Sequence, residues 1–468
     1  MLLQAAKELS RKNITWKVCI SDKTRQHMLT IKRISLFKKA TSNLFKKFTS
    51  REGIKKFFGV SLYRNAILLI LDGAIPAVTG FVFWVVAARL YSTENIGIAS
   101  AAIAANGLLV GFSLLGLNNA LIRFLPTVKD CPADMINSSL TLGGLVAVVA
   151  ALIFIAGIDI WSPALISIRD NPLFFIIFVI FVPVNLLNSL SEAVFLAQRR
   201  SDLILWQDII GSLLRFIPLI LLSILLANYG IFLSWGLAVL VATVIGILFF
   251  IPITQNGYKP IPIINKKIIG EMVQFSTSNY IASLLAMSSG SILPLIVLNI
   301  LGAAQNAYFY ISWIIGSTVA SVPLAVTTSL FAEGANDEQI LWEHVKRTIK
   351  FMALLLVPLI IIILFFGRWF LLIFGKRYSQ NAVTLLQVLT ITALPLSVSA
   401  IYFTIKRIQK AMKSVVLMTG FTSVVTLGLS YVLLPRIGIL GAGIAWLIAN
   451  SIVSLLIIII WLRNKSIL

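Results

Sequence analysis

The sequence runs to 468 residues, of which 59% are hydrophobic and only 12% charged, with a mean hydropathy of +0.96. A water-soluble globule cannot hide that share of apolar side chains, so the composition excludes a soluble enzyme or binding module and leaves a multi-pass membrane protein. The net charge of +22 is unevenly placed: the first 64 residues hold 16 of the 39 Lys and Arg, against the acids Glu8, Asp22 and Glu52.

In chain order, residues 1–61 form a basic arm, expected in the cytoplasm. No apolar run precedes Leu62, so no cleavable secretion signal is expected. Phe37, Leu44 and Phe48 share one helical face, with Lys38, Lys39, Lys46 and Lys47 beside them. That pattern fits either a helix lying on an anionic membrane surface or a solvated basic tail. Nucleic acid is not expected as a partner, because no stacking aromatics in a folded module accompany the charge.

About twelve apolar stretches come next, at 62–89, 96–118, 137–159, 172–198, 203–227, 230–252, 273–300, 307–332, 345–366, 382–404, 413–434 and 438–462. A helix of roughly 20 residues crosses ~30 Å of hydrocarbon, which accounts for their length. The polar connection 253–272, with Pro260 and Pro262, divides them into an N-lobe at 62–252 and a C-lobe at 273–463. The lobes read as weak copies. Leu90–Gly97 resembles Leu301–Tyr308 in place and length, and Tyr229–Phe232 corresponds to Ile437–Leu440. Six spans is an even number, so both copies enter the membrane from the same side, and parallel repeats of this kind leave a central cavity. The expected fold class is therefore an all-α polytopic membrane protein with about 12 transmembrane helices in two six-helix bundles around that cavity.

Basic residues set the orientation. Only Arg89, Arg169, Arg368, Lys376, Arg377 and Arg436 fall outside; 32 fall inside and Arg215 lies in the membrane, which places both termini in the cytoplasm. The stretch from Arg368 to Arg377 runs against that rule. Cys19 and Cys131 fall inside, so no disulfide is expected. Asn13 and Asn137 begin glycosylation triplets on the same side, read as chance matches. Pro76, Pro183, Pro218, Pro294, Pro323, Pro358 and Pro395 each remove a backbone hydrogen bond within a span, favouring lobes that bend.

Ionisable groups inside spans cost several kcal/mol unless paired or wet, so each is a candidate site. On the first helix Asn65, Asp72 and Thr79 recur at intervals of seven on one face, and Pro76 frees the carbonyl of Asp72. A carboxylate beside a free carbonyl suits a proton or sodium ion; a structural hydrogen bond to a neighbouring helix is the alternative. Asn185, Asn188 and Glu192 line one face of helix four, while Asp208, Ser212 and Arg215 line one face of helix five. Glu192 and Asp208 are placed at the inner mouth, with Arg215 about 10 Å deeper. The planar fork of Arg suits a phosphate ligand, and an internal ion-pair network is the competing reading. The second half carries only hydroxyls and amides within its spans, including Ser276, Asn279, Ser283, Thr390 and Asn450, expected mainly to link helices. His27 and His344 lie outside the spans, so no metal, haem or other cofactor is expected, and no phosphate-binding Lys-Ser/Thr loop is present.

The stretch from Gly80 to Pro126, with its Ala88-Arg89-Leu90 turn into Asn95-Ile96-Gly97 and its Leu117-to-Pro126 segment, resembles the polysaccharide-transport branch of the multidrug/oligosaccharidyl-lipid/polysaccharide flippase superfamily. The resemblance extends more weakly over all twelve spans. It implies a secondary transporter of the plasma membrane that flips lipid-linked oligosaccharide by alternating access. Its substrate would be a polyprenyl-(di)phosphate-linked glycan, with membrane lipids and a coupling cation or proton as further partners. A monomer working beside glycan polymerisation machinery is expected. On this reading Arg215, Asn185, Asn188 and Arg64 bind substrate, Asp72, Asn65 and Thr79 couple the ion, and Glu192 and Asp208 shape the mouth. The alternatives are a cation-coupled exporter of drugs or small metabolites on the same fold, and a membrane-embedded glycan polymerase or ligase. The latter needs a large outer loop, and no outer loop exceeds roughly fifteen residues.

Overall fold

A computed structural model describes residues 61–128, 132–226, 229–334, 341–409 and 411–463. The chain divides into two compact units, Met1–Ile67 and Leu68–Leu468. The surface helix expected around Phe37–Phe48 and both cysteines lie outside the described residues. Every regular element described is helical. Eleven helices are long and apolar enough to cross a membrane, and the first helix adds the shorter apolar stretch Ile75–Leu90.

The helices are α1 (Ser61–Leu90), α2 (Thr93–Ser113), the short α3 (Leu117–Phe124), α4 (Pro132–Ala156) and α5 (Pro172–Ala197). Helix five is broken into α6 (Ser201–Leu214) and α7 (Phe216–Leu225). Then come α8 (Gly230–Ile245), α9 (Ile251–Thr254), α10 (Lys266–Leu301), α11 (Ala303–Gly334) and α12 (Leu341–Phe374). The last are α13 (Lys376–Asn381), α14 (Val383–Ile391), α15 (Ala393–Ile408), α16 (Met412–Ile437) and α17 (Leu440–Arg463).

Side chains at the helix starts explain several boundaries. The Ser92 hydroxyl accepts from the Asn95 amide and starts α2; Asn171 accepts from the Phe174 amide ahead of Pro172 and starts α5. Both satisfy N–H groups that a helix start leaves without partners. Asn265 accepts from the amides of Lys267 and Ile268 at 3.2 and 3.4 Å, so α10 begins at Lys266 rather than at 273. Asn265→Ala should cost about 1 kcal/mol, read as a lower unfolding midpoint in detergent with unchanged helix content. Further along the second half, α12 continues through Arg368 to Phe374 instead of stopping at 366, because its hydrophobic side chains run on with Arg368 as the one interruption.

Proline acts unevenly. Pro76, Pro183, Pro294, Pro323 and Pro358 sit within continuous helices. Pro218 and Pro395 instead lie just after the breaks at Arg215 and Thr392. Each ring removes the N–H that would have bonded a carbonyl one turn back, across the break.

The connection between the halves is pinned. Asn137, nearly buried at 4% exposure, donates to the Lys259 carbonyl at 2.9 Å. Ser138 accepts from the Asn265 amide at 3.0 Å. Tyr258, next to Lys259, is buried, and burial pushes its hydroxyl up to about 12. The Asn137 triplet thus has a structural role: it docks the connection onto the start of α4. Between α4 and α5, the Arg169 guanidinium bonds the Asp159 carboxylate and holds it below the usual carboxylate range.

The apolar side chains form two main cores that do not follow the division of the sequence. The first is built from α2, α3, α4 and α5, with Phe232 of α8, and takes in Met272 and Leu298 of α10. The second is built from α11, α12, α14, α15 and α17 and takes in Phe83, Trp84, Tyr91 and Ile96 from the region of the α1–α2 turn. Helix α2 is the most enclosed of the candidate spans. Its run of Gly, Ala and Ser allows neighbouring backbones to approach closely. The repeat-related turns meet here. Asn306 donates to the Gly97 carbonyl at 2.7 Å and to the Ser100 hydroxyl at 3.1 Å, fully buried.

Candidate functional site

Arg215 stands at the break between α6 and α7, and its side chain turns toward α1. Its Nη2 donates to Thr79 Oγ1 at 2.7 Å, and its Nε donates to the Ser212 carbonyl at 3.1 Å. The guanidinium carbon lies 5.2 Å from the Phe83 ring centroid and 5.9 Å from that of Phe216. Aromatic faces of this kind hold a partly desolvated cation without neutralising it. Asp208 attracts it from α6, seven residues earlier. Arg carries five N–H donors, and two are used here. The rest form a half-buried fork, the shape that a phosphate or diphosphate oxygen pair fits.

Thr79 completes the contact by donating to the Ile75 carbonyl at 2.7 Å, which aims its oxygen lone pairs at Arg215. It therefore belongs with the arginine. The other two members of the expected ion site, Asn65 and Asp72, are in α1, as is Arg64. The side chains of these three lie outside the described part of the structure.

Asn185 and Asn188 do not reach for Arg215 but enter separate hydrogen bonds. Asn185 donates to Asn106 Oδ1 of α2 at 2.8 Å. Asn106 is fully buried, and its own Nδ2 has no partner among the described residues. Asn188 donates to the Glu192 carboxylate one turn on, and its Oδ1 accepts from Gln207 at 2.6 Å and Thr243 at 3.3 Å. Gln207 also donates to Ser191 at 3.0 Å. This buried amide network joins α5, α6 and α8. Beside it α8 loosens into a π-turn over Gly246–Phe250, where a Cβ on Gly246 would sit 2.8 Å from Gln207 Oε1. Such turns recur at functional sites. Asn106, Gln207 and Thr243 escape notice in the sequence because an uncharged polar side chain in a span costs much less than a charge and often only links helices. Gln207, next to Asp208 and one helical turn from Ile204, is the one legible signal.

The structure therefore holds two polar centres in the first half, an Arg215–Thr79 centre at the α1 contact and an amide network between α5, α6 and α8. Residues 62–310, just over half of the chain, match the family described as polysaccharide biosynthesis protein. The chain belongs to this family. A Shigella flexneri protein assigned as an O-antigen transporter is 25% identical over 425 residues, covering 87% of this chain and 99% of its own length. Among solved structures, the lipid II flippase MurJ in an inward closed conformation superposes with a TM-score of 0.64 at 14% identity, covering 84% of this chain and 88% of that one. An inward-facing multidrug-resistance MATE transporter of the MOP superfamily gives 0.59 at 15% identity, covering 85% and 94%. At such identities the structural likeness is one of fold. This member of the polysaccharide biosynthesis family is a multi-pass, all-α membrane protein whose fold is like that of those transporters.

Proposed function

We propose that the protein carries a polyprenyl-(di)phosphate-linked oligosaccharide across the plasma membrane, from inner to outer leaflet, by alternating access. The observation that carries this reading is the Arg215 fork: an obligate cation held half-buried at a helix break, with donors left for an anion. The family assignment and the flippase and O-antigen relatives support the same substrate class. In this reading the glycan crosses intact and no covalent bond changes, so the protein acts as a transporter and not as a polymerase or ligase.

The chemistry is that of the residues themselves. Arg215, steadied by Thr79 and the rings of Phe83 and Phe216, takes the diphosphate. The amide network of Asn188 and Gln207 holds α5, α6 and α8 together, and the second Nδ2 hydrogen of Asn188 and the Nδ2 of Asn106 would be its donors for sugar hydroxyls once the lobes open. The N-lobe 62–252 and C-lobe 273–463 rock about this region, with both termini in the cytoplasm. That places the α1–α2 turn on the outer side. Opening there requires Phe83, Trp84, Tyr91 and Ile96 to leave the second core. The cost of that exposure is what a coupling proton or cation at Asp72 would have to offset, with Glu192 and Asp208 shaping the inner mouth.

The test is a deletion strain, with chemical analysis of what collects on the polyprenyl carrier. Completed lipid-linked oligosaccharide trapped on the inner leaflet, with loss of surface polysaccharide, is the expected result. The MATE likeness supports one other reading, an exporter of drugs or small metabolites. Normal surface glycan with new drug sensitivity would select it.

A further inference from the structure

At the end of the molecule carrying the α1–α2 turn, α12 and α13 fold back on one another around a cavity of about 540 Å³ lined by Arg368, Trp369, Leu372, Lys376, Ser379 and Gln380. The fold-back has a local cause. Gly375 takes φ 140°, a conformation glycine adopts freely, and Ser379 then donates to the Arg368 carbonyl at 3.1 Å. This brings two cations, eight residues apart in sequence, to one opening with no carboxylate in its lining. Among the described residues neither Arg368 nor Lys376 has an ion-pair partner.

Basic residues near a helix C-terminus usually answer its unpaired carbonyls. Here that role is taken by another residue. Arg89 of α1 donates to the Leu372 carbonyl at 3.1 Å and to the Ile373 carbonyl at 3.0 and 2.7 Å. Arg368 and Lys376 are left over. Their depth is marked by the aromatic side chains: Phe365 and Phe366 are 77% and 56% exposed one turn before Trp369, itself 67% exposed. Exposed Phe faces hydrocarbon, and Trp next to it marks the headgroup layer. Arg368 is thus placed to extend its charge toward that layer while its stem stays apolar.

We infer that this cavity binds a lipid-borne phosphate in the headgroup layer. The guanidinium of Arg368 and the ammonium of Lys376 take the phosphate oxygens, Gln380 adds an amide donor, and Trp369 and Leu372 lie along the first carbons of the tail. The binding chemistry stands on the cavity alone. Its location in the outer leaflet rests on the orientation given under the proposed function, and there it would receive the diphosphate lipid after crossing. On that orientation it also accounts for basic residues on the side where they are scarce.

Two sources share this chemistry, an ordinary anionic phospholipid and a polyprenyl diphosphate. The experiment is native mass spectrometry of the full chain from detergent, titrated in separate arms with phosphatidylglycerol, geranylgeranyl diphosphate and inorganic pyrophosphate. The wild-type protein is compared with R368Q, K376Q and the double variant. Both side chains are exposed, so the variants should keep the wild-type unfolding midpoint; K376Q alone, outside the span, carries the comparison if R368Q does not insert.

A roughly tenfold or greater loss of lipid adduct in the double variant is expected, with an intermediate loss in each single one. Loss in both lipid arms assigns the site to lipid phosphates in general; loss only in the geranylgeranyl diphosphate arm assigns it to the diphosphate lipid. Equal adducts in wild type and double variant, or equal affinity for inorganic pyrophosphate and lipid, overturn the inference. Topology is checked separately with a K376C variant and a membrane-impermeant maleimide on intact cells. Labelling only after lysis would overturn the outer-leaflet assignment and the proposed orientation while the binding result stands.

Discussion

Gly97→Val should remove a large part of the protein's stability. A Cβ at position 97 would lie 1.8 Å from the Ala303 carbonyl oxygen and 2.5 Å from its carbon, and both belong to backbone. The neighbour cannot step aside, since Ala303 is the first residue of α11. Asn306, one turn later, is held by its 2.7 Å bond to the Gly97 carbonyl. Overpacking a close contact costs about 1–3 kcal/mol and more where backbone must shift. Separating the helices also breaks buried hydrogen bonds, at about 1–3 kcal/mol for each group left unpaired. Against a total stability of about 5–15 kcal/mol, the sum is a large part of the whole. Size-exclusion chromatography in detergent should show aggregate, or an unfolding midpoint lower by roughly 5–10 °C. Gly107→Ala is the matched control: a Cβ there meets nothing within 4 Å, and the variant should behave as wild type. A folded, stable Gly97→Val protein would mean that α2 and α11 do not pack this closely.

Arg215→Ala should abolish flipping at unchanged protein level. A structural role and a transport role for this residue differ in what they require of stability. If Arg215 only held helices together, its loss would leave buried partners unsatisfied. The contacts limit that cost: Thr79 keeps its bond to the Ile75 carbonyl, and what is lost is the bond to the Ser212 carbonyl, the attraction of Asp208 and the contacts with Phe83 and Phe216. Removing a half-buried cation should therefore change the unfolding midpoint little, while transport is lost. Arg215→Lys should recover little, because a point charge on a flexible stem cannot bond Ser212 and Thr79 and still present a planar fork. The measurement is surface polysaccharide in complemented deletion cells, beside protein abundance and midpoint. Full activity of the alanine variant would remove Arg215 from the mechanism.

Gly97 with Ala303 and Arg215 with Thr79 are contacts between residues distant in sequence, and neither pairing is visible in the chain as written. What the sequence determined by itself was the set of spans, since a bilayer demands a minimum length of apolar helix and tolerates few charges in it. The repeated turns at Leu90–Gly97 and Leu301–Tyr308 were also legible, because a turn between two spans needs polar or small residues at one place. Arg215 stood out for the same reason, as a charge where charge is costly.

The tertiary structure decided which polar groups meet. Asn185 and Asn188 look equivalent on one helical face, yet one bonds Asn106 of α2 and the other joins Gln207 and Thr243. An uncharged amide can pair with whatever helix lies opposite, so its partner depends on packing and not on spacing. The cavity of Arg368 and Lys376 shows the same limit: two basic residues that only broke an orientation rule in the sequence share one opening because Gly375 turns the chain back. Helix length is set locally by hydrocarbon thickness, whereas the partner of a side chain is set by which helices the whole fold brings together.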